Sequence, residues 1–562
     1  MPIAYDTSVV FRPSASPDSP NANWRGFEPG QSTLTAGSTY SPNGRQLTCD
    51  ISLYRDLPVA LRDGTTIFTD VYRPVTGTAL PAISVWSPYG KQGGFWTYDL
   101  FPNRAGVAEE ATSGLEKFEG PDPAFWCANG YAIVNVDPRG SFQSGGDGQF
   151  FSEQEAQDGY DTVEWIAAQD WCNGSVAMAG DSWLAAMQWR IAAQRPPHLK
   201  AIAPWEGFTD IYRDLTCRGG IPEHAFTETL VANNFGRQQT EDAIAMLAQH
   251  PLLDDYWQSK IARIEDIEVP AYVVASWTNP LHVRGTLDAF SRLDPASSWL
   301  RVHNTFEWPD QYANEDDLLR FFDHVIKGID NDWPRTPRVR LSILDPGGTD
   351  IVARPEKEWP LARARNRTFY LDAGSQQLAP DPRAANTVVI DAEHGIASFR
   401  LPFEIETELT GPMALQLFIE SDQIDDADLY VFVRKLSASG EPQLHWLPAG
   451  APIPGAKGQL RVSHRALDEQ LSTPLVPVHR HDSIAPLTPG EIVTVDIPIW
   501  PVGMIWHAGE QLEVLVSAQD LFPTAAMVTG PPELGDASGS SAGHLVIHTG
   551  GSHPSRLTVS QV

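Results

Sequence analysis

VAMAGDSWLAAMQW, residues 176–189, decides the fold. Val176–Gly180 is a short apolar run of the kind found in strands covered on both faces. WLAAMQWRIAAQ (183–194) then carries a helical pattern with no spacer. Between them Gly180-Asp181-Ser182 must turn the chain sharply. A small residue two positions before the serine is required, because such a strained turn brings backbone and side chain together. The turn lifts the Ser182 hydroxyl clear of a sheet and leaves the Trp183 backbone N–H free to stabilise an oxyanion. Leu184 stands where a second glycine is common, so the specificity of the reading comes from what surrounds the motif. Asp181 is expected to face away from the pocket and to favour the following helix N-terminus.

Outward from this elbow, the same texture repeats. AISVW (82–86), YAIVNV (131–136), AIAP (201–204), AYVVAS (271–276) and WLRVH (299–303) read as buried strands, and EAQDGYDTVEWIAAQ (155–169) reads as a helix. Strand and helix in alternation predict a parallel sheet with helices on both faces, the α/β class. Before it, LTCDISLYRDLPVALRDGTTIFTDVYRP reads as a hairpin about Asp63-Gly64. The mostly helical segment 206–265 interrupts the alternation and predicts a cap over the ligand-binding edge of the sheet. The expected organisation is an N-terminal extension (1–46) laid over the body, a core in two parts (47–205 and 266–335) and the cap between them. Beyond 336, strand runs such as DLYVFVRKL and EQLEVLVSA, parted by Pro, Gly and Asp clusters, predict an all-β sandwich or jelly roll to residue 562.

Composition narrows the function. With 562 residues, 42% apolar, the chain is too long for one core and has ample material for two or three. Its net charge of −31 repels phosphate backbones and anionic lipid, so nucleic acid and membrane surfaces are not expected partners. Four scattered cysteines lack zinc or redox spacing and read as reduced core thiols. No basic start followed by an apolar run opens the chain, and a cytoplasmic protein is expected. No cofactor and no metal is expected: His479, His481, His544 and His548 have strand-like spacing and are read as structural. The expected partner is a hydrophobic small molecule, with a homo-oligomer left open.

SPYGKQ (87–92) and DPRGSFQSGGDGQF (137–150) each follow an early strand. Together with DGTTIFTDVYRP, the elbow segment, RFFDHVIKG, LTPGEIVTVDIPIWPVGMIWHAGEQLEVLVS and HPSRLTV, they make the chain from about Leu47 onward resemble the CocE/NonD hydrolases. That is the family of bacterial cocaine esterase, related to X-Pro dipeptidyl-peptidases. The resemblance implies an α/β-hydrolase core, a helical cap, a C-terminal jelly roll and serine hydrolysis of esters or amides. It implies Ser182 as nucleophile and Tyr89 as a hydroxyl donor to the oxyanion hole beside the Trp183 amide.

Two positions depart from that pattern. The family's acid follows the strand that here reads AYVVAS, where SWTNPLH places Asn279. Its histidine follows the next strand, where VHNTFEW places Glu307. A serine hydroxyl is a weak nucleophile without a base near neutral pKa, and a carboxylate with an ordinary pKa of about 4.3 is a poor one unless burial raises it. Non-hydrolytic chemistry on a bound small molecule (cyclisation, elimination or isomerisation) is therefore the leading expectation. A serine esterase or amidase with a relocated base, His303 or His282, is the alternative, and a Ser182–His303–Glu307 array is its most direct form. A non-catalytic binding protein is the third.

Overall fold

The computed structural model describes residues 8–76, 79–448, 450–523 and 542–562. The first seven residues of the expected N-terminal extension lie outside them.

Thirteen strands of the N-terminal two-thirds follow in chain order: β1 Phe11–Pro13, β2 Gly30–Leu34, β3 Ile51–Ala60, β4 Thr66–Pro74, β5 Leu80–Trp86, β6 Ala132–Asp137, β7 Cys172–Asp181, β8 Leu199–Trp205, β9 Gln239–Glu241, β10 Ala271–Ser276, β11 Ser298–His303, β12 Val339–Ile343 and β13 Ile351–Glu356. All but β1 and β9 join one sheet in the order β13-β12-β11-β10-β8-β7-β5-β6-β4-β3-β2. The strands from β6 through β5, β7, β8, β10 and β11 to β12 run parallel. Every residue of β5, β6, β10 and β11 is buried, as short apolar runs between two helical layers must be. The β3–β4 hairpin turns at Asp63-Gly64 and extends the sheet antiparallel.

Nine helices are described in this part: α1 Pro123–Ala128, α2 Glu153–Ala167, α3 Trp183–Ala193, α4 His224–Ala232, α5 Ala243–Gln249, α6 Asp255–Gln258, α7 Val283–Arg292, α8 Glu307–Ala313 and α9 Glu315–Val325. α4, α5 and α6 make the helical segment between β8 and β10, at the place expected for a cap. The N-terminal arm is tied to it: β1 pairs with β9, and β2 adds to the hairpin edge of the main sheet.

The core does not stop at residue 335, the expected boundary. β12 continues the parallel order beside β11, and β13 closes that edge antiparallel, so the main sheet reaches Glu356. The Pro-rich connection before β12 is a loop inside the core, not the end of it.

The remaining chain is all-β, as its alternating strand runs predict. Among the described residues its strands pair with one another antiparallel except for a single parallel bridge between Gln377 and Arg400. The long strand Thr407–Ser421 pairs with both Val493–Trp506 and Arg556–Gln561, which closes the sheet into a barrel-like form. It is docked on the core through backbone: Leu344 N–H donates to Gly503 O at 2.8 Å, and Ile505 N–H to Leu344 O at 3.0 Å. Among the described residues no helix is long and apolar enough to cross a membrane.

Candidate active site

At the end of β7 the backbone does what the sequence demands. Gly180 has φ +128°, and a Cβ there would collide with the Leu184 side chain and lie 2.8 Å from Glu119 O. Ser182 itself sits at φ 57°, ψ −117°, a strained conformation that side chains rarely adopt. Two further non-glycine residues with positive φ clamp the turn. The Asp181 N–H donates to the carbonyl of Glu119 (φ 64°), and the Ser182 N–H to that of Glu206 (φ 53°), both at 3.1 Å. With α3 starting at Trp183, its amide belongs to the first turn, whose N–H groups the helix does not use.

Tyr89 reaches this turn from the loop after β5 and lines the same cavity as Ser182. Its ring meets Trp96, Phe118 and Trp183 edge-on. The loop is held from below by a buried cation: Lys91 Nζ lies 2.6 Å from Asp56 and 3.4 Å from Asp137, and the Lys91 N–H donates to Asp137. A lysine so deeply buried must be paired, and the pairing fixes the chain two residues past Tyr89.

Ser182 opens onto a cavity of about 600 Å³. Aromatic rings dominate its wall, among them Trp96, Phe101, Phe118, Phe208, Phe306 and Trp308; its polar lining is Tyr89, Glu119, Ser182, His282 and Glu307. A second, polar cavity of about 430 Å³ shares Trp183 as a wall but does not include the serine.

Glu307 is the first residue of α8 and lines the serine's cavity. Burial pushes its carboxyl up to about 8, against a hydrogen bond from Asn279 that lowers it. His282, just before α7, is fully buried, stacks on Phe208 and is held neutral by burial, with its pKa lowered to about 3. Its Nε2 lies 3.3 Å from Glu307 Oε2, yet neither ring nitrogen makes an aligned hydrogen bond to a described residue. Contact with a carboxylate would favour the imidazolium, whereas burial disfavours both charges. With no aligned hydrogen bond to hold an ion pair, burial prevails and the resting pair is uncharged.

Asn279 lies behind the cavity wall as a bridge. Its Nδ2 donates to Glu206 Oε2 at 2.9 Å and to Glu307 Oε2 at 2.8 Å, while its Oδ1 accepts from the Leu281 N–H. It therefore orients Glu307 without lining the space the serine faces.

His303 does not form the expected Ser182–His303–Glu307 array. It does not line the cavity; its Nε2 is 2.6 Å from Glu206 Oε1, and its Nδ1 is 3.6 Å from Asp310, which is itself bound by Arg301. These contacts hold the imidazole outside the cavity that the serine faces. Asp181 faces away from the cavity as expected, but does not serve the helix end as an anion. Both its oxygens are buried without a partner among the described residues, and burial raises its pKa well above the carboxylate range.

Residues 63–242 match the X-Pro dipeptidyl-peptidase (S15) family, and residues 331–558 match the X-Pro dipeptidyl-peptidase C-terminal non-catalytic domain. A solved structure of a CocE/NonD family hydrolase from Staphylococcus aureus superposes with TM-score 0.87 at 32% identity, covering 95% of this chain and 97% of that one. The chain belongs to the CocE/NonD hydrolase family. The cocaine esterase of a Rhodococcus species (strain MB1 Bresler) is 25% identical over 574 residues, which span 84% of this chain and 91% of that protein. An α-amino acid ester hydrolase shares the fold, with TM-score 0.69 at 16% identity over 92% of this chain and 97% of that one.

This CocE/NonD hydrolase is thus an enzyme of the α/β-hydrolase superfamily. Its elbow serine, Trp183 and the tyrosine of the loop after β5 line one cavity. Two loops beside the elbow bring titratable groups to the cavity wall: His282 comes from the loop after β10, and Glu307 from the start of α8 after β11. Two residues escaped the sequence reading altogether. Glu119 and Glu206 each precede a glycine, in FEG and WEG, and no spacing marks them as buried acids beside the elbow.

Elsewhere, His479 and His481 join His464 in a buried imidazole group between the cap and the β region, and His544 and His548 each pair with a carboxylate. Among the described residues one trio has metal-ligand spacing, Asp345, His507 and Glu510, and the Lys435 ammonium already sits 2.6 Å from Asp345 and 2.8 Å from Glu510.

Proposed function

We propose that this enzyme is a serine esterase or amidase for an uncharged, hydrophobic small molecule, working with a rearranged proton acceptor. Ser182 attacks the acyl carbon, the Tyr89 hydroxyl and the Trp183 amide receive the developing oxyanion, and the His282–Glu307 pair takes the hydroxyl proton. The observation that carries the reading is the 3.3 Å approach of His282 Nε2 to Glu307 Oε2 in the same cavity wall as Ser182. An imidazole–carboxylate pair beside an activated serine is the minimal apparatus of acyl transfer, whichever loop supplies each half.

The pair accepts a proton only when Glu307 is ionised and His282 neutral. Burial keeps His282 neutral through the physiological range and delays Glu307 ionisation to about 8. Activity should therefore rise with pH through about 8. The test is a fluorophosphonate probe with p-nitrophenyl butyrate turnover as its partner assay. Label on Ser182, together with turnover that Ser182→Ala abolishes, is expected. No label and no turnover would sink the reading.

A second reading rests on the weak basicity of His282. If the imidazole is too poor a base for serine, Glu307 alone abstracts a proton from a bound substrate, and the site performs elimination, isomerisation or cyclisation. Then Ser182 stays unlabelled, while Glu307→Gln still abolishes conversion of the substrate.

A further inference from the structure

We propose that Glu119 is a substrate-recognition residue that donates a hydrogen bond from its uncharged carboxyl group to a neutral acceptor, the carbonyl or leaving oxygen or nitrogen of an ester or amide. The proposal deepens the hydrolytic reading and rests on it for the substrate class.

Four observations place Glu119 there. It lines the same cavity as Ser182, Tyr89 and Glu307. Its backbone is held in a strained left-handed conformation, φ 64°, which persists only where the surroundings insist on it. Every part of the residue but one oxygen is tied down. Its N–H donates to the Tyr98 hydroxyl at 3.1 Å, its carbonyl accepts from Asp181 N–H and Gln311 Nε2, and its Oε1 accepts from Trp308 Nε1 at 3.0 Å. The remaining oxygen, Oε2, is buried without a hydrogen-bond partner among the described residues.

The Trp308 indole N–H by itself favours the anion, and it leaves Oε2 as the oxygen on which a proton would sit. What surrounds it makes that proton stay. Glu307 and Tyr89 share its cavity, the Tyr98 hydroxyl and buried Asp181 lie close by, among the described residues no cation lines the cavity, and burial with Glu307 as neighbour pushes its carboxyl well above the ordinary range. Nearby Lys117 is turned elsewhere, donating to Ser87 O at 2.6 Å and to Val136 O. Leaving Oε2–H without an acceptor would cost as much as any unpaired buried donor, so a ligand that supplies one is favoured by the difference. The two cavity carboxyls meet different partners: Asn279 and His282 approach Glu307, whereas Glu119 accepts from Trp308 and keeps Oε2 without a partner among the described residues.

The test uses the full chain. In the infrared, wild type minus Glu119→Gln should show the carbonyl stretch of a protonated carboxylic acid at pH 7. In a Ser182→Ala background that band should move to lower wavenumber when phenyl butyrate binds. Glu119→Leu should lower kcat/KM for p-nitrophenyl butyrate by ~10- to 100-fold, as loss of one buried hydrogen bond to substrate does. Glu119→Gln, which can still accept from Trp308 and donate into the cavity, should recover most of that loss and erase any fall in activity at alkaline pH. Absence of the carbonyl band, a band that phenyl butyrate leaves unmoved, or full kcat/KM in a folded Glu119→Leu would each overturn the proposal. Because the infrared arms need no turnover, failure of ester hydrolysis with the band present and moving would fell the hydrolytic reading and leave Glu119 standing.

Discussion

The two halves of the cavity are built by different rules. The elbow half is local. Gly180, Ser182 and Trp183 are consecutive in one strand–turn–helix, and Tyr89 sits on a single loop anchored by Lys91. The proposed proton-accepting half, together with the groups behind the cavity wall that hold or flank it, is assembled from the ends of several strands. Asn279 and His282 follow β10, His303 ends β11, Glu307 opens α8, and Glu206 ends β8; one amide, Asn279, joins Glu206 to Glu307. A local motif tolerates little change, because strain and close approach dictate each residue. A distributed one can exchange members, provided that the same volume again holds a proton acceptor and its partner.

The comparison is broken most severely by Ser182→Ala. Loss of kcat/KM by at least ~10³-fold is expected, with the melting temperature little changed, since only a hydroxyl is removed. If activity survives, the elbow is scaffold and the distributed half does the chemistry alone. Next in size is Glu307→Gln, which keeps the hydrogen-bonding shape and removes the charge. A fall of ~10²- to 10⁴-fold is expected, together with loss of the rise in activity near pH 8. Tyr89→Phe removes one oxyanion donor and should cost ~10- to 10³-fold in kcat with little change in KM.

His303 separates the two ways of reading the second half. Held by Glu206 and outside the cavity, it should tolerate substitution by Asn with less than ~10-fold loss of kcat, while stability falls by ~1–3 kcal/mol because a buried partner is left unsatisfied. Loss comparable to that of Glu307→Gln would restore it as the base. A further effect is on stability against pH. The folded-state pKa of His282 is depressed to about 3 from 6.5, so its contribution is whole above the unfolded value and is lost as pH falls from 6.5 towards 3. The loss is ~1.4 kcal/mol per pH unit within that window, and His282→Asn should flatten it in urea titrations at pH 7 and pH 5.

Much of the fold could be read directly. Short apolar runs gave the parallel strands β5, β6, β7, β8, β10 and β11, because a strand covered on both faces has nowhere to place polar side chains. The Asp63-Gly64 hairpin and the elbow were legible for the same local reason. The core boundary was not: β12 belongs to the main sheet through pairing with β11, and pairing partners far apart in the chain leave no mark on composition.

Sequence by itself determined that a serine stands on a strained turn at the end of a central strand; that Asn279 and Glu307 occupy the family's acid and histidine positions is an expectation of the same reading. Only tertiary structure decided which imidazole meets which carboxyl. His303 and His282 are both single histidines beside strand ends, and their spacing to Ser182 is equally uninformative. What tells them apart is the company each keeps once folded, because Glu206 and Asp310 hold one behind the sheet end while Glu307 meets the other in the cavity wall. Burial, which moves the pKa of every one of these groups, is a property of the packed chain and cannot be read from the order of its residues.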